Sequence, residues 1–318
     1  MQSPQNLPLL HESTVLPEEI DSLGHMNVRH YMARMQRANR TLIDGLGMAE
    51  ATFEHSMLRS IDTYTRFRRE QFEGAPLHTV GGILSLDEGG MQSYIEIRNA
   101  ESQATAATFI VTTALIDRHT RQAQPFPIAI RDIQAANTIT TPDYATPRSL
   151  TLDRVNTSVT LEQLAASIPD VAGGGMMSGR RDAILEADDV DADGWLREDI
   201  ELMFLPFAKM AAEEGVQQGP PVFETADGRK VGWAVMETRT MLFAQPRLHD
   251  ELAYFSADLH LEAKSRLSRR WALNRDTGQL LGMSDTVGVC IDLQARRAIE
   301  WPAELRAQIE QYLRPQLA

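Results

Sequence analysis

The feature that most constrains this chain is an internal repeat. Residues 14–24 read TVLPEEIDSLG and residues 184–194 read ILEADDVDADG, and both contain an apolar stretch, an acidic turn and Asp-x-x-Gly. A second pair of blocks, residues 115–127 and 290–302, aligns at an offset of 175 instead of 170. Two ordered matches of this kind indicate a duplicated domain. We expect the five-residue difference to be absorbed by longer hairpin loops.

Each copy predicts one helix followed by a meander of about four strands. In the first copy, apolar residues recur at three- or four-residue steps over residues 28–46, and strand-like runs lie at 61–67, 79–86, 92–99 and 106–116. In the second copy, the helix is expected at 200–214 and the strands at 234–243, 251–262, 265–274 and 280–291. A sheet that curls around the helix buries the apolar face of both. The predicted fold class is therefore α+β, with two tandem domains.

The segment between the copies is interpreted as a linker. Residues 131–178 break the repeat and carry Gly173-Gly174-Gly175, so we place the domains at residues 1–130 and 179–318. A short helix is expected near 161–166, and a closing helix at 304–313. A phosphate-binding role for the three glycines is disfavoured because no Lys-Ser/Thr follows them.

Charge and cysteine content exclude several functions. The chain has 318 residues, with 31 basic and 44 acidic side chains and a net charge of −13, which disfavours general binding to nucleic acid or an anionic membrane. The single cysteine, Cys290, lies in an apolar run and is expected to be a core residue. No stretch approaches the ~18 apolar residues of a membrane span. We expect a soluble cytoplasmic protein.

No metal or cofactor is predicted. His25 and His30 are five residues apart and would face different sides of a helix, and no cysteine completes a ligand set. The acidic run at 186–193 lacks the alternating spacing of a calcium loop, so a solvated turn is expected there.

The segment from Asp21 to Tyr31, DSLGHMNVRHY, carries the candidate chemistry. It enters the first predicted helix, whose first four backbone amides have no partner within the helix and lie at its positive end. Such amides can stabilise an oxyanion, and a carboxylate just upstream can act as a base or nucleophile. The alternative is that Asp21 only caps the turn and His25 packs on the surface.

The second copy helps to separate these alternatives. It keeps Asp191 and Gly194, which the turn needs, but has Trp195 where the first copy has His25. Arg197 likewise replaces the asparagine of the first copy. A purely structural motif gives no reason for only one copy to hold all the polar groups, so a chemical role in the first copy is favoured.

The motif Asp-x-x-Gly-His-x-Asn, followed four residues later by Tyr31, resembles the active-site signature of hotdog-fold thioesterases of the 4-hydroxybenzoyl-CoA thioesterase type. The string YTRFRRE at 64–70 and the ending Asp117…Arg121…Pro-Phe-Pro at 125–127 are similar to the same family. The resemblance covers residues 10–130 well and 180–303 more weakly, and the tandem layout is similar to that of acyl-ACP thioesterases. It implies two tandem hotdog domains, each a long helix wrapped by an antiparallel sheet.

The resemblance also implies an activity, the hydrolysis of an acyl-CoA or acyl-ACP thioester without a cofactor. Asp21 would be the base or nucleophile, and the backbone N–H of Val28 would polarise the thioester carbonyl. His25 and Asn27 would orient water or the thioester. The motif positions implied to line the substrate are Gly24 and Tyr31. Many members have a second asparagine where this chain has Val28, so any side-chain role at that position is lost.

Coenzyme A carries phosphates, so a basic surface is expected near the site. The candidates are Arg66 and Arg68 in the first domain and Lys264 and Arg266 in the second; the alternative is that both clusters are solvated strand faces. In hotdog proteins the helix entrance usually faces another unit, so the second domain is expected to shape the acyl or CoA channel. Trp195 would then be a wall of that channel or a core aromatic. Two such chains can also pair as a homodimer.

Two other functions compete with hydrolysis. Hotdog folds also include acyl-thioester hydratases and dehydratases, but the Gly-Asp-x-Asn-Pro-x-His pattern of the hydratase branch is absent from this sequence. A non-catalytic protein that binds acyl thioesters is the other alternative, and the intact motif at residues 21–31 disfavours it.

Overall fold

The computed structural model divides the chain into two compact units, Met1–Arg148 and Ser149–Ala318. The division falls inside the segment predicted as a linker. The three glycines at 173–175 lie outside the residues that the structure describes. Those are residues 7–48, 50–134, 137–168, 179–197, 200–206, 208–209 and 222–318.

Unit 1 is a long helix packed on an antiparallel sheet. Helix α1 spans Val28–Asp44, and the shorter helices are α2 (Glu50–His55) and α3 (Ile128–Gln134). The strands are β1 (Leu9–Thr14), β2 (Ser56–Phe67), β3 (Pro76–Asp87), β4 (Gly90–Asn99), β5 (Thr105–Asp117) and β6 (Ala123–Gln124). Their spatial order is β1-β3-β4-β5-β2, with β6 on β5.

The apolar stripe of α1 forms the core of unit 1, as the periodicity predicts. Tyr31, Met35 and Ala38 are buried, and they pack against sheet residues that include Ile95 and Phe109. Burial of an aliphatic or aromatic side chain of this size contributes roughly 1.5–3 kcal/mol. The helix begins after Asn27 and stops at Gly45, close to the predicted limits of 28–46.

The other face of this sheet is covered by residues 139–146. Gly82 leaves room for Ile139, because a Cβ at Gly82 would lie 3.0 Å from its Cδ1 atom. The Tyr144 hydroxyl donates to the buried carboxylate of Glu96 at 2.6 Å. Burial raises the pKa of Glu96, but hydrogen bonds from Arg98 and three hydroxyls outweigh it, so the pKa lies below its ordinary value.

Unit 2 repeats this sheet. Its strands are β7 (Gly179–Ile184), β8 (Phe223–Glu224), β9 (Lys230–Leu242), β10 (Glu251–Leu261), β11 (Ser265–Asn274), β12 (Leu280–Asp292) and β13 (Arg297–Ala298). The order is β9-β12-β11-β10-β7, with β8 on β9 and β13 on β12. Helices α4 (Leu161–Ser167) and α5 (Ala303–Gln311) lie close to the predicted ranges of 161–166 and 304–313.

The predicted helix at 200–214 is described only in part. A 3-10 helix spans Leu202–Phe204, and helical turns follow at 205–206 and 208–209. Residues 207 and 210–214 lie outside the described residues.

Matching hydrogen bonds align the two units residue by residue. The Gly24 N–H donates to the Asp21 carbonyl at 3.0 Å, and the Gly194 N–H donates to the Asp191 carbonyl at 3.0 Å. Both glycines have positive φ, +81° and +74°. The offset of 170 therefore holds through the turn.

From β9 to β12 the pairings repeat those from β2 to β5 at an offset of 175, with register shifts at corresponding positions. The extra five residues thus enter between Arg197 and Val231, before the meander begins. The expectation that hairpin loops absorb them is wrong, because those loops keep their length to preserve the register of the sheet.

Two further observations concern the predictions made for the cysteine and for membrane-spanning segments. Cys290 is fully buried in a core cluster of unit 2, as predicted, and burial raises the pKa of its thiol to about 11. None of the described helices is long and apolar enough to cross a membrane.

Candidate active site

The turn between β1 and α1 is closed by backbone hydrogen bonds. The Asp21 N–H donates to the His25 carbonyl at 2.9 Å, and the Asn27 N–H donates to the Glu19 carbonyl at 2.9 Å. Gly24 takes the left-handed conformation that favours glycine. The turn therefore gathers the motif residues immediately before the first residue of α1.

The Asp21 carboxylate is held by a backbone amide and lies near an imidazole. Its side chain is only 4% exposed, and Oδ1 accepts the Leu23 N–H at 2.8 Å. Oδ2 lies 3.8 Å from Nδ1 of His25. No lysine or arginine among the described residues forms an ion pair with it. A carboxylate of this kind keeps the lone pairs of one oxygen for a water molecule or a carbonyl carbon.

His25 lies between two carboxylates. Its Nε2 atom is 3.5 Å from Oε1 of Glu70, and its Nδ1 atom also lies 3.3 Å from the Met26 carbonyl oxygen. Glu70 follows β2 and is absent from the residues predicted for the site. It is the last residue of the string YTRFRRE that resembles the family, but the string alone assigned it no role; its contact with His25 brings it to the turn.

Tyr31 holds the loop that carries Glu70. Its hydroxyl donates to the Arg69 carbonyl at 3.2 Å, and the Met26 N–H donates to the Gln71 carbonyl at 2.8 Å. The ring is 3% exposed, and burial raises the pKa of the Tyr31 hydroxyl. These contacts show that Tyr31 supports the neighbouring loop; that it also lines the substrate stays a prediction.

The N-terminus of α1 presents a backbone donor. Asn27 is the N-cap residue, and its Oδ1 atom accepts the Arg29 N–H at 3.1 Å. The backbone N–H of Val28 donates to no group among the described residues, and the Val28 side chain is 37% exposed. An unsatisfied amide at the positive end of a helix stabilises negative charge on an oxygen.

Two of the predicted phosphate ligands lie at the end of β2. Arg66 and Arg68 both donate to the Tyr144 carbonyl, at 3.1 and 2.8 Å. Arg66 also donates to the Thr146 carbonyl at 3.2 Å. These arginines anchor the segment at 139–146, which is a structural role that the strand pattern did not predict.

The predicted pair in unit 2 has two different environments. Lys264 is exposed, but Arg266 is 7% exposed and lies 3.4 Å from Oδ2 of Asp258. The Arg266 guanidinium also stacks 4.5 Å from the ring centroid of Trp233. Arg266 therefore belongs to the interior of unit 2, and we no longer assign it to phosphate.

Within the described residues, the turn of unit 2 differs from that of unit 1 at the histidine position. Trp195, in the position of His25, is 1% exposed, and its N–H donates to Oδ1 of Asp191 at 3.0 Å. After Arg197 the described chain forms a 3-10 helix at Leu202–Phe204, where unit 1 continues directly into α1. The Asp191 turn therefore has a buried tryptophan in place of the histidine, and residues 198–199, which follow it directly, lie outside the described residues.

Comparison with known proteins shows which family model and which solved structures this chain is similar to. Residues 15–136 match the family model described as the thioesterase-like superfamily. No curated protein matches the sequence.

Two solved structures cover both units. The 12:0-ACP thioesterase from Umbellularia californica has a TM-score of 0.63 at 11% identity, covering 88% of this chain and 93% of its own. An acyl-ACP thioesterase from Bacteroides thetaiotaomicron has a TM-score of 0.56 at 9% identity, covering 87% of this chain and 96% of its own. At such identities the likeness shows the fold. The predicted resemblance and the two tandem hotdog domains are thus confirmed.

Proposed function

We propose that this chain hydrolyses an acyl thioester and that its active site is the Asp21 turn of unit 1. The observation that supports this most strongly is that one tight turn holds a carboxylate with no lysine or arginine partner and a helix amide with no acceptor, both judged among the described residues. The match of residues 15–136 to the thioesterase-like superfamily supports the same class of reaction.

The residues of the turn would divide the chemistry between them. The Val28 N–H would donate to the thioester carbonyl oxygen and stabilise the oxyanion that forms when the carbonyl carbon is attacked. Asp21 would either accept a proton from the attacking water or attack the carbonyl itself, forming a mixed anhydride that water then opens. In both routes the C–S bond breaks, the thiolate takes up a proton, and a free acid is released.

His25 and Glu70 would assist at the turn. The imidazole lies close to the carboxylates of both Asp21 and Glu70, so it can orient a water molecule next to the reacting carbonyl. Asn27 would act mainly through the helix cap, because its Oδ1 atom is engaged by the Arg29 amide.

The substrate would be an acyl-CoA or an acyl carrier protein thioester. The two solved structures described above are named for acyl-ACP substrates, which favours the carrier protein form. Arg68 is the exposed member of the predicted basic cluster in unit 1, and it remains a candidate for the phosphates of either substrate.

The test is the replacement Asp21→Asn, which keeps the Oδ1 acceptor of the turn and removes the charge. We expect kcat to fall by about 10²–10⁴-fold with unchanged folding. The assay is release of free thiol from aliphatic and aromatic acyl groups, each presented on CoA and on carrier protein.

Unit 2 supplies the matched control. Asp191→Asn changes the equivalent turn, which we place outside the chemistry, so its kcat should equal that of the parent. Near-normal turnover by Asp21→Asn would refute the assignment. A change in enoyl absorbance without thiol release would indicate a hydratase, and binding without either would indicate a non-catalytic protein.

A further inference from the structure

The turn is tied to α1 by one buried arginine. Arg34 is 3% exposed, and its Nη2 and Nη1 atoms donate to the two carboxylate oxygens of Glu19 at 2.7 and 3.0 Å. The same guanidinium donates to the Ser13 hydroxyl at 2.8 Å and to the Thr14 carbonyl at 2.9 Å. It also donates to the His30 carbonyl at 3.1 Å. One side chain thus joins β1, the segment after it and α1.

Glu19 connects this arginine to the reacting groups. Its Oε2 atom accepts the Leu16 N–H at 3.0 Å, and its carbonyl accepts the Asn27 N–H at 2.9 Å. Burial raises the pKa of Glu19, but hydrogen bonds from Arg34 and Leu16 outweigh it, so the pKa lies below its ordinary value. Glu19 is therefore ionised at neutral pH, and its backbone carbonyl, two residues before Asp21 in the chain, binds the N-cap residue of α1.

We call the Arg34–Glu19 ion pair the clamp of unit 1. Unit 2 contains a corresponding ion pair, in which a lysine replaces the arginine. Asp189, at the position of Glu19, accepts the Glu186 N–H at 2.8 Å, as Glu19 accepts that of Leu16. Nζ of Lys209 lies 2.7 Å from Oδ2 of Asp189. Lys209 matches Arg34 at the offset of 175, whereas Asp189 matches Glu19 at 170. The five extra residues therefore enter between Arg197 and Lys209.

We propose that Arg34 is a positioning residue of the active site, which fixes the Asp21 carboxylate relative to the Val28 amide by holding Glu19 against α1. The inference rests on the proposed function. A planar guanidinium can hold two carboxylate oxygens and three further acceptors at once, as Arg34 does, which fixes both distance and direction. The ammonium of Lys209 is a point charge without the planar fork; it lies 2.5 Å from Oε2 of Glu186 and 2.7 Å from Oδ2 of Asp189, in the unit whose turn has no histidine.

Loss of this clamp should act on the chemical step. Displacement of a catalytic group by about 1 Å costs as much as 10²-fold in rate, because the reacting atoms leave their productive geometry. We expect Arg34→Met to lower kcat by about 10- to 100-fold and to change KM by less than about threefold. Arg34→Lys keeps the positive charge but loses the forked geometry of the guanidinium, so its kcat should lie between those of Arg34→Met and the parent.

Two controls separate positioning from stability. Lys209→Met removes the corresponding ion pair of unit 2, and we expect it to lower Tm without lowering kcat. The double variant Glu19→Gln/Arg34→Met leaves no unpaired carboxylate, so it should regain part of the Tm lost in Arg34→Met while kcat stays low.

The measurements are thiol release from decanoyl-CoA and Tm, on the full chain for the parent, the four variants and Asp21→Asn. A kcat for Arg34→Met within twofold of the parent would overturn the proposal. So would an equal fall in kcat for Lys209→Met, or recovery of both Tm and kcat in the double variant. If Arg34→Met does not fold, the same criterion applies to Arg34→Lys and the double variant: a kcat within twofold of the parent in both would overturn the proposal. Failure of the proposed function has a different signature, since the parent would then release no thiol or Asp21→Asn would match it.

Discussion

Proline at position 28 removes the proposed oxyanion donor and leaves the helix in place. Val28 is the first residue of α1, where proline is well tolerated because its missing N–H has no partner within the helix. Asn27 has φ −63° and ψ 143°, a conformation that a residue before proline readily adopts. The Val28 side chain is 37% exposed, so little packing is lost.

The expected effect of Val28→Pro is therefore confined to catalysis. Loss of one oxyanion donor costs about 10²–10³-fold in kcat, or roughly 2.7–4 kcal/mol of transition-state stabilisation. The free energy of unfolding should change by less than about 1 kcal/mol, because the deleted N–H donates to no described group. Val28→Ala keeps the amide and should retain nearly the parent kcat.

The assay is thiol release under saturating substrate, together with urea unfolding of each variant. An amide-to-ester substitution at residue 28 removes the N–H without adding a ring, and it should reproduce the loss caused by proline. If Val28→Pro stays folded and turns over at the parent rate, the amide is not the oxyanion donor. If proline lowers kcat but the ester does not, the ring blocks substrate and the argument from the amide fails.

Two further predictions concern buried charges away from the turn. The pKa of Glu96 lies below its ordinary value of 4.5, so its ionised form stabilises the fold above about pH 4.5, and this stability is lost as the pH falls through the folded-state pKa. Glu96→Gln should therefore lower the free energy of unfolding, measured in urea at pH 7, by about 3 kcal/mol. The difference in this free energy between the variant and the parent should become smaller below pH 4.5. Arg266→Met removes the guanidinium beside the buried Asp258 and should lower the free energy of unfolding by roughly 3–5 kcal/mol without raising KM for CoA esters. If Arg266→Met folds and has a higher KM, Arg266 is a phosphate ligand after all.

Local periodicity predicted those elements whose burial follows a regular pattern. Helix α1 was predicted nearly to its ends because its apolar residues recur at helical spacing and Asn27 and Gly45 lie at its limits. The start of β2 was predicted too late, at 61 instead of Ser56. Its first four residues are all buried, including Ser56 and Arg59, so they show no alternation. Glu70 ends the string YTRFRRE, but its place beside the turn depends on the contact of Tyr31 with the Arg69 carbonyl and on its own contact with His25, which the string does not show.

The sequence also reveals only part of the difference between the two copies. That difference is the reason for proposing the chemistry in unit 1. Replacement of His25 by Trp195 is visible in the sequence, but the position of the five extra residues is not. The strand registers and the Lys209 contact locate them directly after the turn of unit 2. In unit 1 the turn continues into α1 at once, so the Asp21 carboxylate and the helix amides share one rigid connection. In unit 2 that connection is longer and includes a 3-10 helix, so restoring the histidine by Trp195→His should leave Asp191 inactive. Activity in an Asp21→Asn chain that also carries Trp195→His would show that the side chain, and not the helix start, sets the difference.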